Sequence, residues 1–244
     1  MKVKKAPLNA VSLRLFALAC MLLDHLWASV VPGNDWMNYV GRLAFPIFAF
    51  QTAEGYFHTS DVKQYCKRLL IFGLISEIPF NLFLSGSWVY PFHQNVMFTL
   101  LLGLLALRQL DQARKENTGK QWVRSGLLTA ALALAGECAL VDYGGKGVLT
   151  VVAFGMLRDF PGARLCQLAA MVLLHLVRFE GRQLLLQTGF GTLSFPVQGF
   201  AVLALFVIWA YNGQKGPRNK LIQYSSYGFY PVHFLIFNGI SYYS

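Results

Sequence analysis

The chain has 244 residues, of which 55% are hydrophobic and only 13% are charged, with 21 Lys and Arg against 11 Asp and Glu. Soluble domains carry about 25% charged residues, so this composition excludes an ordinary water-soluble fold. A helix that crosses ~30 Å of hydrocarbon needs about 20 residues, and apolar runs recur along the whole chain. The composition therefore predicts an all-α, polytopic transmembrane helical bundle.

The net charge of +10 does not indicate nucleic-acid binding, because the basic residues form short clusters between apolar runs and not one patch. The four cysteines show no C-x-x-C spacing, so neither a disulfide framework nor a zinc site is predicted. Arg14 and the Asp24-His25 pair interrupt the first apolar run. We interpret that run as a retained span and not as a cleaved signal peptide.

Taken in chain order, the apolar windows between polar breaks predict about nine transmembrane helices. Their approximate ranges are 8–31, 36–57, 66–85, 94–110, 125–142, 145–158, 164–180, 195–212 and 221–242. The absence of an internal sequence repeat argues against an inverted-repeat transporter. Residues 1–244 are therefore predicted to form a single integral-membrane domain.

Lys and Arg are concentrated in alternate connections between these helices. The N-terminus and every second loop contain most of them, whereas the loops near 32–36 and 86–93 contain none. By the positive-inside rule, the N-terminus is cytoplasmic and the C-terminus lies outside, which requires an odd number of spans.

The first predicted helix contains ionisable residues, which are costly in a membrane and usually face a polar cavity or a partner. Arg14 and His25 are eleven positions apart, so steps of ~100° bring them within ~20° of one face, about 16 Å apart along the axis. Asp24 points ~100° away from His25, toward another neighbour. His25 is a candidate base, because the potential ion pairs of the first two helices do not include it and because a histidine can be neutral near pH 7.

The second predicted helix runs antiparallel to the first after a turn near residues 32–34. Residues at equal distances from this turn therefore lie at the same depth in the membrane. Arg42 then lies at the depth of Asp24, and Glu54 at the depth of Arg14, giving two potential ion pairs. The pairs either only fasten the two helices together or belong to a functional site, and the sequence favours neither interpretation.

The third and fourth predicted helices add further polar residues. Glu77, Pro79 and Asn81 lie in the third, where the proline frees a backbone carbonyl and the carboxylate needs a partner. These residues are candidates for a cavity wall, and a packing kink with Glu77 as a structural acceptor explains them equally well. Asn95 and Thr99 lie one turn apart in the fourth helix, which also fits ordinary interhelical hydrogen bonding.

Two more histidines lie in the later helices. His175 and Arg178 share a face of the seventh helix, where a lone histidine is more often a packing residue. His233 follows Pro231 in the ninth helix, where a kink is predicted, and structural and functional roles fit it equally.

No Walker loop, G-x-G-x-x-G, H-E-x-x-H or nucleophile elbow occurs in the sequence. A phosphate-bearing cofactor would therefore have to be held by Arg and Lys near the cytoplasmic rim. No metal site is predicted.

Several short motifs follow one another in a recognisable order. They are Asp24-His25, residues 41–50 (GRLAFPIFAF), Glu54-Gly55-Tyr56, Arg68-Leu69, Ser76 with Pro79-Phe80-Asn81, residues 95–100 (NVMFTL), Tyr211-Asn212-Gly213 and Tyr230-Pro231-x-His233. Together they resemble the TraX family over nearly the whole chain. That family is named for the conjugation protein that acetylates the N-terminus of F-type pilin.

The first helix also resembles the integral-membrane acyltransferase family 3, whose signature is an arginine, ten residues and a histidine. Arg14 and His25 have this spacing. The resemblances imply a membrane-embedded acyltransferase that moves acetyl from cytoplasmic acetyl-CoA to an amine or hydroxyl of a pilin, another peptide or a surface glycan. Acetyl-CoA is then the acyl donor, and no metal is expected.

Under this resemblance, nine residues are expected to form the site. The catalytic candidates are His25, Asp24 and His233, the donor-binding candidates are Arg14, Arg42 and Glu54, and the substrate-cavity candidates are Glu77, Asn81 and Asn95. His25 would take the acceptor proton, a step worth ~10²–10⁴-fold, and His233 is the alternative base. Arg14 would meet a CoA phosphate or fix the cavity wall through Glu54, and Asn95 would donate a hydrogen bond to the developing oxyanion.

Two other classes of protein remain open. A proton-coupled transporter or flippase would use the same intramembrane charges as a relay, and a noncatalytic subunit of a conjugation or secretion apparatus would need none of them. The loop charges and the resemblance favour the bacterial cytoplasmic membrane. The expected partners are the lipid bilayer, the acyl donor and an acceptor that the sequence does not identify.

Overall fold

The computed structural model describes residues 7–177, 181–189, 191–217 and 220–243, and these residues are mostly helical. The α-helices are α1 Ala10–Ser29, α2 Asp35–Gly41, α3 Ala44–His58, α4 Val62–Ser85, α5 Val96–Glu116, α6 Gly119–Cys138, α7 Gly144–Met156, α8 Ala163–Val172, α9 Ala204–Trp209 and α10 Lys220–Tyr243. A π-helical turn, Leu173–Val177, continues α8, and a 3-10 segment, Val197–Leu203, leads into α9.

Each of the nine predicted windows contains helix, in the predicted order. The second window is divided into α2 and α3, which meet at Arg42 and Leu43. Pro46 explains the break, because its ring clashes with the carbonyl four residues earlier, which belongs to Arg42. The backbone tightens there, and the amide of Leu43 donates to the carbonyl of Val40 over 3.1 Å.

A two-stranded antiparallel hairpin corrects the all-α expectation. Strand β1, Gln183–Thr188, pairs with β2, Gly191–Pro196, with Leu184 opposite Phe195. Gly191 has a φ of 124°, a conformation that side-chain-bearing residues rarely adopt and glycine tolerates. Most of the hairpin is exposed, so no buried apolar face marked it in the sequence.

Three of the described helices are long and apolar enough to cross a membrane: α1, α4 and α5. Gly144–Met156, Ala163–Val177 and Val197–Trp209 are apolar but shorter. The count of nine spans and the cytoplasmic N-terminus stay predictions.

The chain divides into two compact units. Unit 1 comprises Met1–Phe48 and Arg164–Lys220, and unit 2 comprises Ala49–Ala163 and Leu221–Ser244. In unit 1, α2 packs against α1 and against the 3-10 segment, which also contacts the π-helical turn. The prediction of a single domain over residues 1–244 stays a prediction.

In unit 2, α5 packs against α4, α6 and α7. Two glycines allow α5 and α7 to approach closely. A Cβ at Gly103 of α5 would lie 2.7 Å from Cβ of Val151, and a Cβ at Gly155 of α7 would collide with Leu107. The middle of α5 is therefore closely packed against α7.

Candidate functional site

The centre of unit 1 is an ion pair between α1 and the end of α2. Arg42 contacts the Asp24 carboxylate through Nη2, and Nδ2 of Asn38 donates to Oδ1 of the same carboxylate over 2.7 Å. Only 16% of the Asp24 side chain and 22% of the Arg42 side chain are exposed. Gly41 makes room for this pair, because a Cβ there would collide with Asp24. The predicted match in depth between Asp24 and Arg42 is confirmed.

The ion pair continues into a hydrogen-bonded chain with the later part of unit 1. Nη1 of Arg42 donates to Oε1 of Gln198 over 3.4 Å, and Nε2 of Gln198 contacts Nδ1 of His175 at 3.2 Å. His175 is fully buried and lies beside the ring of Phe45, with 6.2 Å between ring centroids. His175 is therefore a satisfied core histidine, and Arg178, which was expected to share its face, lies outside the described residues.

On the other side of Asn38, Arg182 extends the chain toward the surface. Its guanidinium lies 3.4 Å from Oδ1 of Asn38 and 2.7 Å from Oδ2 of Asp35. Nε1 of Trp27 donates to the other oxygen of Asp35 over 3.2 Å, and Arg182 stacks 4.8 Å above the Trp27 ring. The hydrogen bond from Arg182 lowers the pKa of the Asp35 carboxyl, because it favours the charged form.

These residues line a pocket of about 190 Å³ in unit 1. Its walls are formed by Trp27, Asn38, Arg42, Gly181, Arg182, Pro196, Val197 and Gln198. Each of its two arginines is paired with an aspartate, so the pocket offers hydrogen-bond donors without a large net charge. Such a lining suits a polar, uncharged group such as a carbonyl better than a free ion.

Arg14 and His25 both lie on α1, and both are half-buried. Neither is among the described residues that line the pocket. Asp24 and Trp27 are three positions apart and share a face of α1, whereas His25 points ~100° away from Asp24. The catalytic role of His25 and the donor-binding role of Arg14 stay predictions.

In unit 2, the predicted cavity residue Asn95 organises the start of α5. Its Oδ1 accepts from the amide of Met97 over 3.0 Å, which caps the helix, and its Nδ2 donates to the carbonyl of Gly73 over 2.8 Å. The same Nδ2 contacts Oε2 of Glu77, whereas Oε1 of Glu77 is buried with no hydrogen-bond partner among the described residues. The Glu77–Asn95 contact links α4 to the α5 terminus.

Asn81 lies one turn beyond Glu77 on α4 and is 5% exposed. Its Nδ2 donates to the carbonyl of Trp88 over 3.3 Å, while its Oδ1 is buried without a partner in the described structure. The hydroxyl of Ser76 is buried and unpartnered in the same sense. Unsatisfied acceptors on one stretch of α4 fit a place for a hydrogen-bond donor.

His93 is a residue that the sequence analysis missed. Its Nε2 lies 3.5 Å from Oδ1 of Asp142, and 41% of its side chain is exposed. The interaction with Asp142 raises the pKa of His93, and the nearby charge of Glu77 acts in the same direction. Thr99 donates to the backbone carbonyl of Asp142. His93 follows no periodic pattern in the sequence, so only the fold brings it to this carboxylate.

Glu54 pairs within unit 2 with residues that the sequence analysis did not propose. Its Oε1 lies 3.5 Å from Nε of Arg158, and its Oε2 lies 3.4 Å from Nδ1 of His58. Glu54 belongs to unit 2 and Arg14 to unit 1, and the expected ion pair between them stays a prediction.

His233 lies in an aromatic cluster of unit 2. It is 2% exposed, stacks on Phe229 and lies 4.1 Å from the ring centroid of Phe234. Its Nδ1 is 2.9 Å from the carbonyl of Phe229. This environment suits a packed histidine, and the role of an alternative base stays a prediction.

Among the described residues, no group of three or more His, Cys, Asp or Glu side chains could hold a metal ion.

Comparison with known proteins places the chain in a family. The TraX protein family matches residues 10–241. The chain is 30% identical over 245 residues to the probable fimbrial assembly protein FimC, serogroup H1, of Dichelobacter nodosus, covering 92% of each protein. No solved structure matches the chain, and the relation to acyltransferase family 3 stays a prediction. The match over nearly the whole length shows that the chain belongs to the TraX family.

Proposed function

We propose that this protein is a membrane-embedded acetyltransferase, with acetyl-CoA as the donor and an amine or hydroxyl as the acceptor. Membership of the TraX family supports this proposal, because that family is associated with pilin acetylation. The similar Dichelobacter nodosus protein is named as a fimbrial assembly protein, which favours a pilin or fimbrial subunit as the acceptor over a surface glycan. The proposed location is the bacterial cytoplasmic membrane.

The observation that carries the proposal is the polar pocket of unit 1. A pocket of about 190 Å³ has room for a small group such as an acetyl thioester, since a water molecule occupies ~30 Å³ in the liquid. Arg42 and Gln198 line it and are held in place by Asp24 and His175. Donors fixed in advance in this way stabilise an oxyanion without reorganising during the reaction.

The proposed reaction forms one bond and breaks one bond. The acceptor nitrogen or oxygen attacks the thioester carbonyl carbon, and the carbon–sulfur bond breaks as the CoA thiolate leaves. His25 is not among the described residues that line the pocket, so in this scheme it takes the acceptor proton through one water molecule. The proton returns from His25 to the thiolate, so the histidine is regenerated. Arg14 stays the donor-binding candidate of unit 1. Within unit 2, Glu54 stays a candidate for donor binding, and Glu77, Asn81 and Asn95 stay candidates for a substrate cavity.

The test is thioester turnover by the detergent-purified protein, with a thiol-reactive dye reporting free CoA. Wild type is compared with His25→Ala, Arg14→Ala and the control Arg124→Ala, which removes an exposed arginine of α6. We expect slow acetyl-CoA hydrolysis that falls about 100-fold or more in His25→Ala and is unchanged in Arg124→Ala. Wild-type protein that neither binds nor hydrolyses acetyl-CoA would contradict the proposal.

The name of the relative favours a second candidate, a noncatalytic assembly subunit. This alternative predicts that His25→Ala leaves fimbrial or pilus assembly intact in cells. An acetyltransferase predicts instead that the acceptor loses its acetyl group in the same variant, which intact-mass spectrometry of the acceptor measures directly.

A further inference from the structure

Cationic side chains converge on two adjacent aromatic residues at the end of α3. Arg158 lies 4.9 Å from the centre of the Phe57 ring, and Arg114 lies 5.9 Å from it. Arg108 is close enough to the Tyr56 hydroxyl for an electrostatic interaction. We call Arg108, Arg114, Lys115 and Arg158 the Arg108 cluster; all four belong to unit 2.

The nearby carboxylates are already occupied. Asp111, whose side chain is 1% exposed, accepts from the Tyr56 hydroxyl over 2.8 Å and lies 2.9 Å from Arg114 and 2.6 Å from Lys115. Arg158 lies 3.5 Å from Glu54 and 3.7 Å from the exposed Asp159, so these three carboxylates already have cationic partners. Positive charge is left in excess.

Within the described part of the chain, Arg108 is the member of the cluster that forms no ion pair with a carboxylate. It is half-buried, and the groups on which its charge acts, the Tyr56 hydroxyl and the Cys66 thiol, are uncharged. Arg68 on α4 lies 5.4 Å from the centre of the Tyr65 ring, and its Nε is buried with no hydrogen-bond partner among the described residues. Burying an unpaired charge is costly, and an anion that pairs with it removes that cost.

The positive-inside rule alone does not explain this arrangement. That rule accounts for exposed cations such as Lys120 and Arg124 in the first turns of α6, which need no partner because water solvates them. It does not explain a half-buried arginine on α5 with no carboxylate partner in the described part of the chain, next to cations that already have theirs. An anion that binds there would supply the missing counter-charge.

We propose that the Arg108 cluster is a binding site for the phosphate groups of an anionic ligand. Guanidinium groups suit this chemistry, because they form paired, charge-assisted hydrogen bonds with phosphate oxygens. The phosphates come either from coenzyme A, the donor under the proposed function, or from the headgroup of an anionic lipid. Only the first source rests on the proposed function.

The experiment measures ligand binding by the purified full-length protein, without any need for turnover. The variants are Arg108→Gln, Arg108→Lys and the control Arg124→Gln, and size-exclusion chromatography checks that each is folded. The probes are coenzyme A, coenzyme A without its 3′-phosphate, and lipid nanodiscs of phosphatidylglycerol or phosphatidylcholine. Arg108→Lys keeps the charge, so it gives an interpretable result if Arg108→Gln fails to fold.

If coenzyme A supplies the phosphates, Arg108→Gln weakens its binding by about ten-fold or more, Arg108→Lys weakens it less, and Arg124→Gln does not. If a lipid supplies them, the same order appears in the preference for phosphatidylglycerol over phosphatidylcholine. Unchanged binding of both probes in the folded Arg108 variants would overturn the inference. Binding through Arg108 without thioester turnover would support the site while contradicting the proposed function.

Discussion

The Asp24–Arg42 pair provides the sharpest stability prediction. Asp24→Asn removes the charge but keeps an oxygen that can accept from Asn38, whereas Arg42→Gln removes the cation and leaves Asp24 with Asn38 alone. Each single change leaves one charged group without its counter-charge in a poorly hydrated place. The double variant leaves two neutral side chains.

Breaking a buried ion pair from one side costs about 3–5 kcal/mol. The exposed fractions of 16% for Asp24 and 22% for Arg42 allow some solvation, so we expect each single variant to lose about 2–4 kcal/mol. In the double variant neither side chain is charged, so the loss in the free energy of unfolding should be smaller than the sum of the two single losses. The expected coupling energy is about 1–3 kcal/mol.

The assay is unfolding of the purified protein in mixed micelles by titration with a denaturing detergent. The four proteins of the cycle are compared with Arg124→Gln, which removes an exposed arginine and should change the free energy of unfolding by less than about 0.5 kcal/mol. Additive losses in the double variant, or single losses no larger than that of Arg124→Gln, would refute the reasoning.

Two further predictions concern unit 2. Because Asp142 raises the pKa of His93, the His93–Asp142 pair contributes its full stability below pH ~6.5. This contribution is lost as the pH rises through the raised pKa of His93. His93→Gln should therefore lower Tm at pH 6 and scarcely change it at pH 9. Asn95→Ala removes the α5 cap and a donor to Glu77, so we expect a loss of about 2–4 kcal/mol in detergent unfolding, and a loss below about 0.5 kcal/mol would contradict the assigned contacts.

The order of the helices followed from the sequence because the signal was strong. Apolar windows of roughly membrane thickness, separated by short polar breaks, leave little choice of secondary structure. The division of the second window into α2 and α3 at Arg42 depends on one residue, Pro46. Averaging hydropathy over a window hides the effect of a single residue. The hairpin of Gln183–Thr188 and Gly191–Pro196 is too exposed to leave an alternating pattern with a buried side.

The site was only partly predictable, for a geometric reason. Asp24 and Arg42 were matched because a short turn joins their segments, so a reflection of residue numbers gives their relative depth. Gln198 and Arg182 join the same network from about 140 to 160 positions later in the chain. A single sequence contains no distance information over such a separation, and neither residue type is unusual at a helix end or loop.

Unit 2 separates its charges along the helix axis. Glu77, Asn95 and His93 lie near the start of α5, whereas Arg108 and the buried Asp111 lie near its end. Thirteen residues from Asn95 to Arg108 correspond to ~20 Å along the helix, a large part of the ~30 Å hydrocarbon thickness. If the basic end is cytoplasmic, as the positive-inside rule predicts, a phosphate-bearing donor and a cationic amine acceptor would each meet complementary charge on its own side. Under the proposed function, such a separation would let the donor and the acceptor bind at opposite ends of α5.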